Sequence, residues 1–118
     1  MALDLAQIVR VAKRLQQAHG YLELGMTEQA LQRLEGLDQL GPLEGEAAWL
    51  RAEAFRMQHR YDDAALWFRT AAQKFPPPFD RSAWYALSLC YRQTGDLTRA
   101  INTLARARGA GLPRPKRL

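Results

Sequence analysis

Two histidines, one cysteine and the adjacent pair Asp62-Asp63 are the side chains with which this 118-residue chain could do chemistry. A covalent mechanism would need a nucleophile and a base within hydrogen-bond reach of each other. A metal centre would need His, Cys and carboxylates at ligand spacing. The sequence supplies neither. His19 falls inside a helical pattern, His59 at a turn far from it, and Cys90 among small residues, where it reads as a buried hydrophobe. Asp62-Asp63 has no His or Cys near it and reads as the charged start of a helix, favoured by the helix dipole. The eight glycines are scattered over turns and helix ends and form no phosphate-binding loop. No catalytic residue, cofactor or metal is therefore expected.

The elements that hold these residues are more informative. Trp84, Leu87, Ser88 and Tyr91 are followed by a turn at Gly95, then by Ala100 and Leu104. Large residues one helical turn apart make one face, and the small residues let a second helix approach. The same columns recur upstream. Ala30, Ala64 and Ala100 are separated by 34 and 36 residues, and four residues beyond each stand Leu34, Phe68 and Leu104. Tyr21, Phe55 and Tyr91 precede them. Small residues fill two further columns, Ala18, Ala52, Ser88 and Gly20, Ala54, Cys90. The turn column is Gly25, His59, Gly95, and Pro42 and Pro76 close the first two units.

This spacing, W-x2-L-G-x2-Y…A-x3-F, resembles the tetratricopeptide repeat, a helix–turn–helix unit of about 34 residues. Ser88 stands for the glycine and Leu104 for the phenylalanine. The first two units depart from the pattern. Gln17 and Arg51 replace its leucine, and Arg14 and Ala48 its opening aromatic, with Trp49 one place late. The resemblance implies an all-α fold, a right-handed superhelical stack of three repeats at about 11–44, 45–78 and 81–114. One domain, 1–112, is expected, with a helical extension over 1–10 and a disordered basic tail at 113–118.

Apolar periodicity predicts a first helix over 3–24, ended by Gly25, and a second capped by Thr27 and running to Asp38. Gly36, Gly41, Pro42 and Gly45 are expected to loosen the link to helices at 46–58 and 62–74. Of Trp67 and Phe68, one faces the core. The connector Phe75-Pro76-Pro77-Pro78-Phe79 is stiff, because proline fixes backbone angles. Asp80 and Asp96 are expected to cap helices at 81–94 and 97–108, and Gly109 to end the last.

In the family it resembles, first helices line a concave groove that binds peptides or helices. Carried over column by column, the groove residues are Leu15, His19 and Leu22; Trp49, Leu50, Glu53, Arg56 and Met57; and Tyr85, Ala86, Leu89, Arg92 and Gln93. One subclass clamps acidic C-termini of heat-shock chaperones with Lys, Arg and Asn. Here those places hold Leu15, His19, Leu50, Ser82 and Ala86, so the cationic clamp is absent. A groove of Leu, Trp, Met and Tyr suits the apolar face of an amphipathic helix or an extended peptide. The resemblance thus implies a non-enzymatic protein–protein interaction module, a scaffold, adaptor or chaperone. Small three-repeat chaperones of bacterial secretion systems are similar in size and architecture.

Composition bounds the alternatives. Hydrophobic content of 47% is ample for a core, and no apolar run reaches the roughly 18 residues of a membrane span. The N-terminus does not have the form of a signal peptide, and a lone cysteine suits a reducing compartment, so a cytoplasmic protein without membrane contact is expected. The net charge of +5 is uneven. Residues 1–44 carry −2, from four Lys/Arg against six Asp/Glu, whereas 81–118 carry +7, from eight against Asp96 alone. The basic residues are not interleaved with aromatics, so nucleic acid is not expected. The gradient reads as solvated surface or as contact with an acidic partner, including another copy's first repeat.

Repeat stacks bury each unit against the next, so terminal units need a polar outer face. The sixth helix is expected to turn Leu97, Ile101 and Leu104 to its own repeat and to leave Ala100, Ala105 and Ala107 beside them. The first helix is about ten residues too long and carries Leu3, Leu5, Ile8 and Val9. Apolar surface is therefore expected at both ends, and self-assembly by stacking of terminal helices is the alternative function, with a homo-oligomer as the result.

Overall fold

The computed structural model describes residues 3–109. Among them, six α-helices form three pairs, α1 (Leu5–Glu23), α2 (Thr27–Leu34), α3 (Glu44–Met57), α4 (Tyr61–Lys74), α5 (Asp80–Thr94) and α6 (Leu97–Ala107), with a 3-10 turn at Gly41–Leu43. Each helix packs on the ones before and after it, and α1 also reaches α3. The result is an elongated helical repeat stack of 55 × 31 × 22 Å. The expected tail at 113–118 lies outside the described residues.

The turns follow the sequence columns. Gly25, His59 and Gly95 adopt φ of +74°, +60° and +86°, the left-handed conformation that reverses the chain between paired helices. Asp4 starts α1 with a capping box: its carboxylate accepts from the Gln7 amide at 2.8 Å, and the Gln7 side chain accepts from the Asp4 amide at 2.9 Å. Asp96 caps α6 by accepting from the Arg99 amide at 3.1 Å. Two expected caps are corrected. Thr27 is the first residue of α2, and its hydroxyl accepts from Gln58 across the repeat instead. Asp80 lies inside α5 and accepts from the Trp84 indole at 3.2 Å.

The small-residue columns are the seams of the stack. Ala30, Ala64 and Ala100 are all buried, as are Ala18, Ala52 and Ser88. One core lies between α1, α2 and α3, built on Leu15, Leu22, Leu34 and Leu50. A second lies between α3, α4 and α5, built on Phe68, Leu87 and Cys90. A third, of Ala48, Ala71, Ala72 and Ala83, closes the far end of the same helices.

The second helix stops at Leu34, four residues short of the expected Asp38. Gly36 turns the chain at φ +76°, and Leu37 and Leu40 enter the core from a loop rather than from a helix. The shortened helix leaves C-terminal carbonyls without helical donors. Arg51 supplies them, donating to the carbonyls of Leu34, at 2.8 Å, and of Leu37. Its guanidinium also stacks 4.7 Å over the Trp67 ring. This is why an arginine stands in a leucine column. Gly45 does not loosen the link. It is buried in the first turn of α3, where an added Cβ would lie 2.9 Å from the Phe75 ring. Lys74 and Glu44 pair at 3.0 Å beside it.

Candidate functional site

The first helices leave a groove along one side of the stack. Its main depression, about 790 Å³, lies between α3 and α5. It is lined by Trp49, Glu53 and Arg56 from α3, by Arg81, Ser82, Tyr85, Ala86 and Leu89 from α5, and by Leu104, Ala107 and Arg108 at the C-terminal end of α6. A second depression of about 490 Å³ continues it past the connector, lined by His19, Glu46, Trp49, Phe75, Pro76, Phe79 and Ser82. Trp49 and Ser82 border both, so the two form one channel.

Helical spacing explains which side chains meet there. Trp49 and Glu53, and Tyr85 and Leu89, stand one turn apart on their helices and so present paired residues to one side. Trp49 and Tyr85 occupy the same repeat column, 36 residues apart. Tyr85 is 52% exposed and Phe79 is 69% exposed, large amounts for aromatic rings. Trp49 is half-buried, packed on all three core clusters, and meets Phe68 edge-on at 5.1 Å.

The groove's charges are partly settled within it. Glu53 and Arg56 pair at 2.7 Å, and that hydrogen bond to Glu53 raises the Arg56 pKa above its ordinary value. Arg81 and Arg108 stand on the rim towards α6. His19 lies 3.2 Å from Glu23, both exposed. The groove columns therefore present an apolar floor with a few charges at its edges.

Several expected groove residues lie elsewhere. Leu15, Leu22 and Leu50 are buried in the first core. Leu15 shares a column with Trp49 and Tyr85, but α1 packs directly on α3 and covers it. Met57 is half-buried against the same core. Arg92 and Gln93 are exposed in the last turn of α5 and line neither depression. His19, Trp49, Glu53, Arg56, Tyr85, Ala86 and Leu89 do line the channel. Sequence reasoning missed Glu46, Arg81 and Phe79 as groove residues, along with Phe75 and Pro76 of the connector and Leu104, Ala107 and Arg108 of the last helix end. Glu46 lies one turn before Trp49 and Leu50 and was findable by spacing, whereas Phe79 belongs to a proline connector with no period to read.

Burial pushes the Cys90 thiol up to about 11 from the ordinary 9.0, Arg56 opposing the shift in part. A thiol held protonated is a poor nucleophile and a poor ligand. His59 shares a hydrogen bond with the Tyr61 hydroxyl at 2.9 Å. Among the described residues no group of His, Cys, Asp and Glu could hold a metal ion. No described helix is long and apolar enough to cross a membrane.

The other broad depression, also about 790 Å³, lies on the opposite side, where α2 ends early, and contains Arg51 and Trp67. Of the last repeat's basic residues, Arg99 and Arg106 lie over the rings of Tyr91 and Trp84 at 5.8 and 4.8 Å. They cover aromatic surface.

No curated protein and no solved structure matches the chain. A family model, tetratricopeptide repeat, matches residues 15–77 and 73–113, nearly the whole of the three-unit stack. The sequence columns, the left-handed turn residues and the paired helices agree with that match, and the chain belongs to the tetratricopeptide repeat family.

Proposed function

We propose that the protein is a non-enzymatic interaction module that holds an apolar segment of another protein, an amphipathic helix or an extended peptide, in the channel between α3 and α5. Tetratricopeptide repeats are in general protein–protein interaction units. The observation that carries the finer reading is the exposure of Tyr85, Leu89 and Phe79 along one continuous channel floored by Trp49. Large apolar side chains gathered in a concave surface mark a binding groove, and aromatic residues there supply most of the affinity.

The ligand's chemistry follows from the walls. Apolar side chains one helical turn apart fill the depressions beside Trp49 and Phe79. Arg81 and Arg108 on the rim accommodate carboxylates that flank such a stripe. A scaffold, an adaptor and a chaperone would each use the groove in this way.

Panning a displayed library of helical and extended peptides tests the proposal. Selected peptides are expected to bind the wild-type chain and to lose it in the double variant Tyr85→Lys, Leu89→Glu, whose exposed positions leave the helical circular dichroism unchanged. Peptides that bind both chains equally would contradict the groove.

A further inference from the structure

The charges of the channel are unevenly placed along it. Glu53 and Arg56 pair with each other, and His19 with Glu23. Three charged residues are left over. Glu46, in the first turn of α3, borders only the depression beside the connector. Arg81 and Arg108 border only the depression that reaches α6. All three are exposed, and among the described residues no ion pair holds any of them. The end of α6 meets the channel through Leu104, Ala107 and Arg108. Leu97 and Ile101 lie off it, 60% and 67% exposed, which corrects the expectation that they serve their own repeat: Ala100 is the buried residue of α6.

The aromatic rings divide in the same way. Phe55, Trp67, Trp84 and Tyr91, none of which lines the channel, each lie under an arginine of the chain, at 4.6 to 5.8 Å. Among the described residues no cation lies over the channel rings Trp49, Phe75 and Phe79, although Phe79 is exposed. Glu46 stands with these three rings in one depression. A carboxylate beside open ring faces is the environment that a cationic side chain prefers.

We propose that the segment held in the channel is bipolar. An arginine or lysine enters the depression of Glu46 and the connector rings, and an aspartate or glutamate lies at the rim shared by Arg81 and Arg108. The apolar side chains sit between them, on Trp49 and Tyr85. The inference rests on the groove reading and adds to it the order of the charges, and so the direction of the bound segment. Arginine suits the first position best, because a guanidinium stacks on a ring while donating to a carboxylate. A helix favours acidic residues at its N-terminus and basic ones at its C-terminus, so a helical occupant points its N-terminus towards α6. Segments of one sign are disfavoured. A wholly acidic one meets Glu46. A wholly basic one meets Arg81 and Arg108, and this holds for the chain's own residues 110–118, which carry Arg114, Lys116 and Arg117 and no Asp or Glu.

The probes are peptides selected by panning on the wild-type chain and lost in the double variant Tyr85→Lys, Leu89→Glu. Aligned on their apolar residues, they are expected to share a basic residue at one end and an acidic one at the other, in a single order. By calorimetry, Glu46→Lys is expected to weaken them about tenfold, the scale of a lost cation–π and carboxylate contact. Exchanging the peptide's basic residue for Glu is expected to restore binding to Glu46→Lys. Glu35→Lys makes the same charge change on the opposite side of the stack and is expected to leave the affinity unchanged. Peptides of the channel with no common order of charge, or an affinity that Glu46→Lys leaves unchanged or Glu35→Lys lowers equally, would overturn the inference while the groove reading stands. Peptides that bind the double variant as well as the wild type would overturn the groove reading and this inference with it.

Discussion

The Trp49 indole stands edge-on to the Phe68 ring, with centroids 5.1 Å apart and planes inclined at 69°. Phe68 is fully buried, and Trp49 is half-exposed to the channel. One contact therefore ties the floor of the groove to the centre of the core. Tyr85, in the same repeat column, has no such tie.

This difference predicts a split between two substitutions. Trp49→Ala is expected to lower stability by about 2–3 kcal/mol, somewhat less than a fully buried aromatic would cost. Tyr85→Ala is expected to change stability by less than about 0.5 kcal/mol, as exposed positions usually do. Urea unfolding of both variants measures it. Equal losses would show that Tyr85 is part of the core and not a free groove surface.

Ala64 lies at the seam between α3, α4 and α5, with no exposed surface. Ala64→Leu is expected to cost about 1–3 kcal/mol, because a packed seam has no volume for three more carbons. An unchanged melting temperature would mean that the helices do not meet at this column.

Cys90 makes stability depend on pH. Its thiol titrates near 11 in the folded chain and near 9.0 when free of burial. Between those values the folded state keeps a proton that the unfolded state loses. The contribution is fully present below pH 9 and falls as pH rises towards 11. Urea titrations at pH 8, 9 and 10 are expected to show a steeper decline for the wild type than for Cys90→Ala. Parallel declines would contradict the burial of the thiol.

A peptide of five residues ending in acidic side chains and a free carboxylate is expected to show no saturable heat of binding. Of the five columns that would clamp it, Leu15, Leu50 and Ala86 are buried and apolar, and His19 is held beside Glu23. Micromolar binding that weakens with salt would contradict this prediction.

Much of the fold was legible because repeats make a sequence its own comparison. The Ala30, Ala64, Ala100 column and the turn column of Gly25, His59 and Gly95 align on residue spacing alone, and all six took the expected places. The end of α2 was not legible. Leu34 and Leu37 keep helical spacing, and both are buried, so the pattern is the same whether the chain reaches Leu37 by helix or by loop. Gly36 and the arginine at 51 in a leucine column marked the break, and the meaning of Arg51 requires the carbonyls it serves.

The lining of the candidate channel was legible to within a helical face. Trp49, Glu53, Tyr85 and Leu89 line the channel because their columns face it in the second and third repeats. Leu15 and Leu22 lie in the first core instead, because closeness of α1 to α3 is a property of packing that no column records. On α6, spacing gave the stripe of Leu97, Ile101 and Leu104 but not which side of the helix met α5.

Three tryptophans divide the surface and provide the most direct test of the central claim. Trp49 floors the channel, Trp67 lies under Arg51 on the opposite side, and Trp84 lies under Arg106. The measurement is a two-dimensional proton–nitrogen spectrum of the three indole N–H groups during titration with a peptide selected by panning. The Trp49 signal is expected to move saturably, at one stoichiometric equivalent, while Trp67 and Trp84 stay in place. Movement of Trp67 or Trp84 with Trp49 unmoved would contradict the assignment of the groove between α3 and α5 as the binding surface.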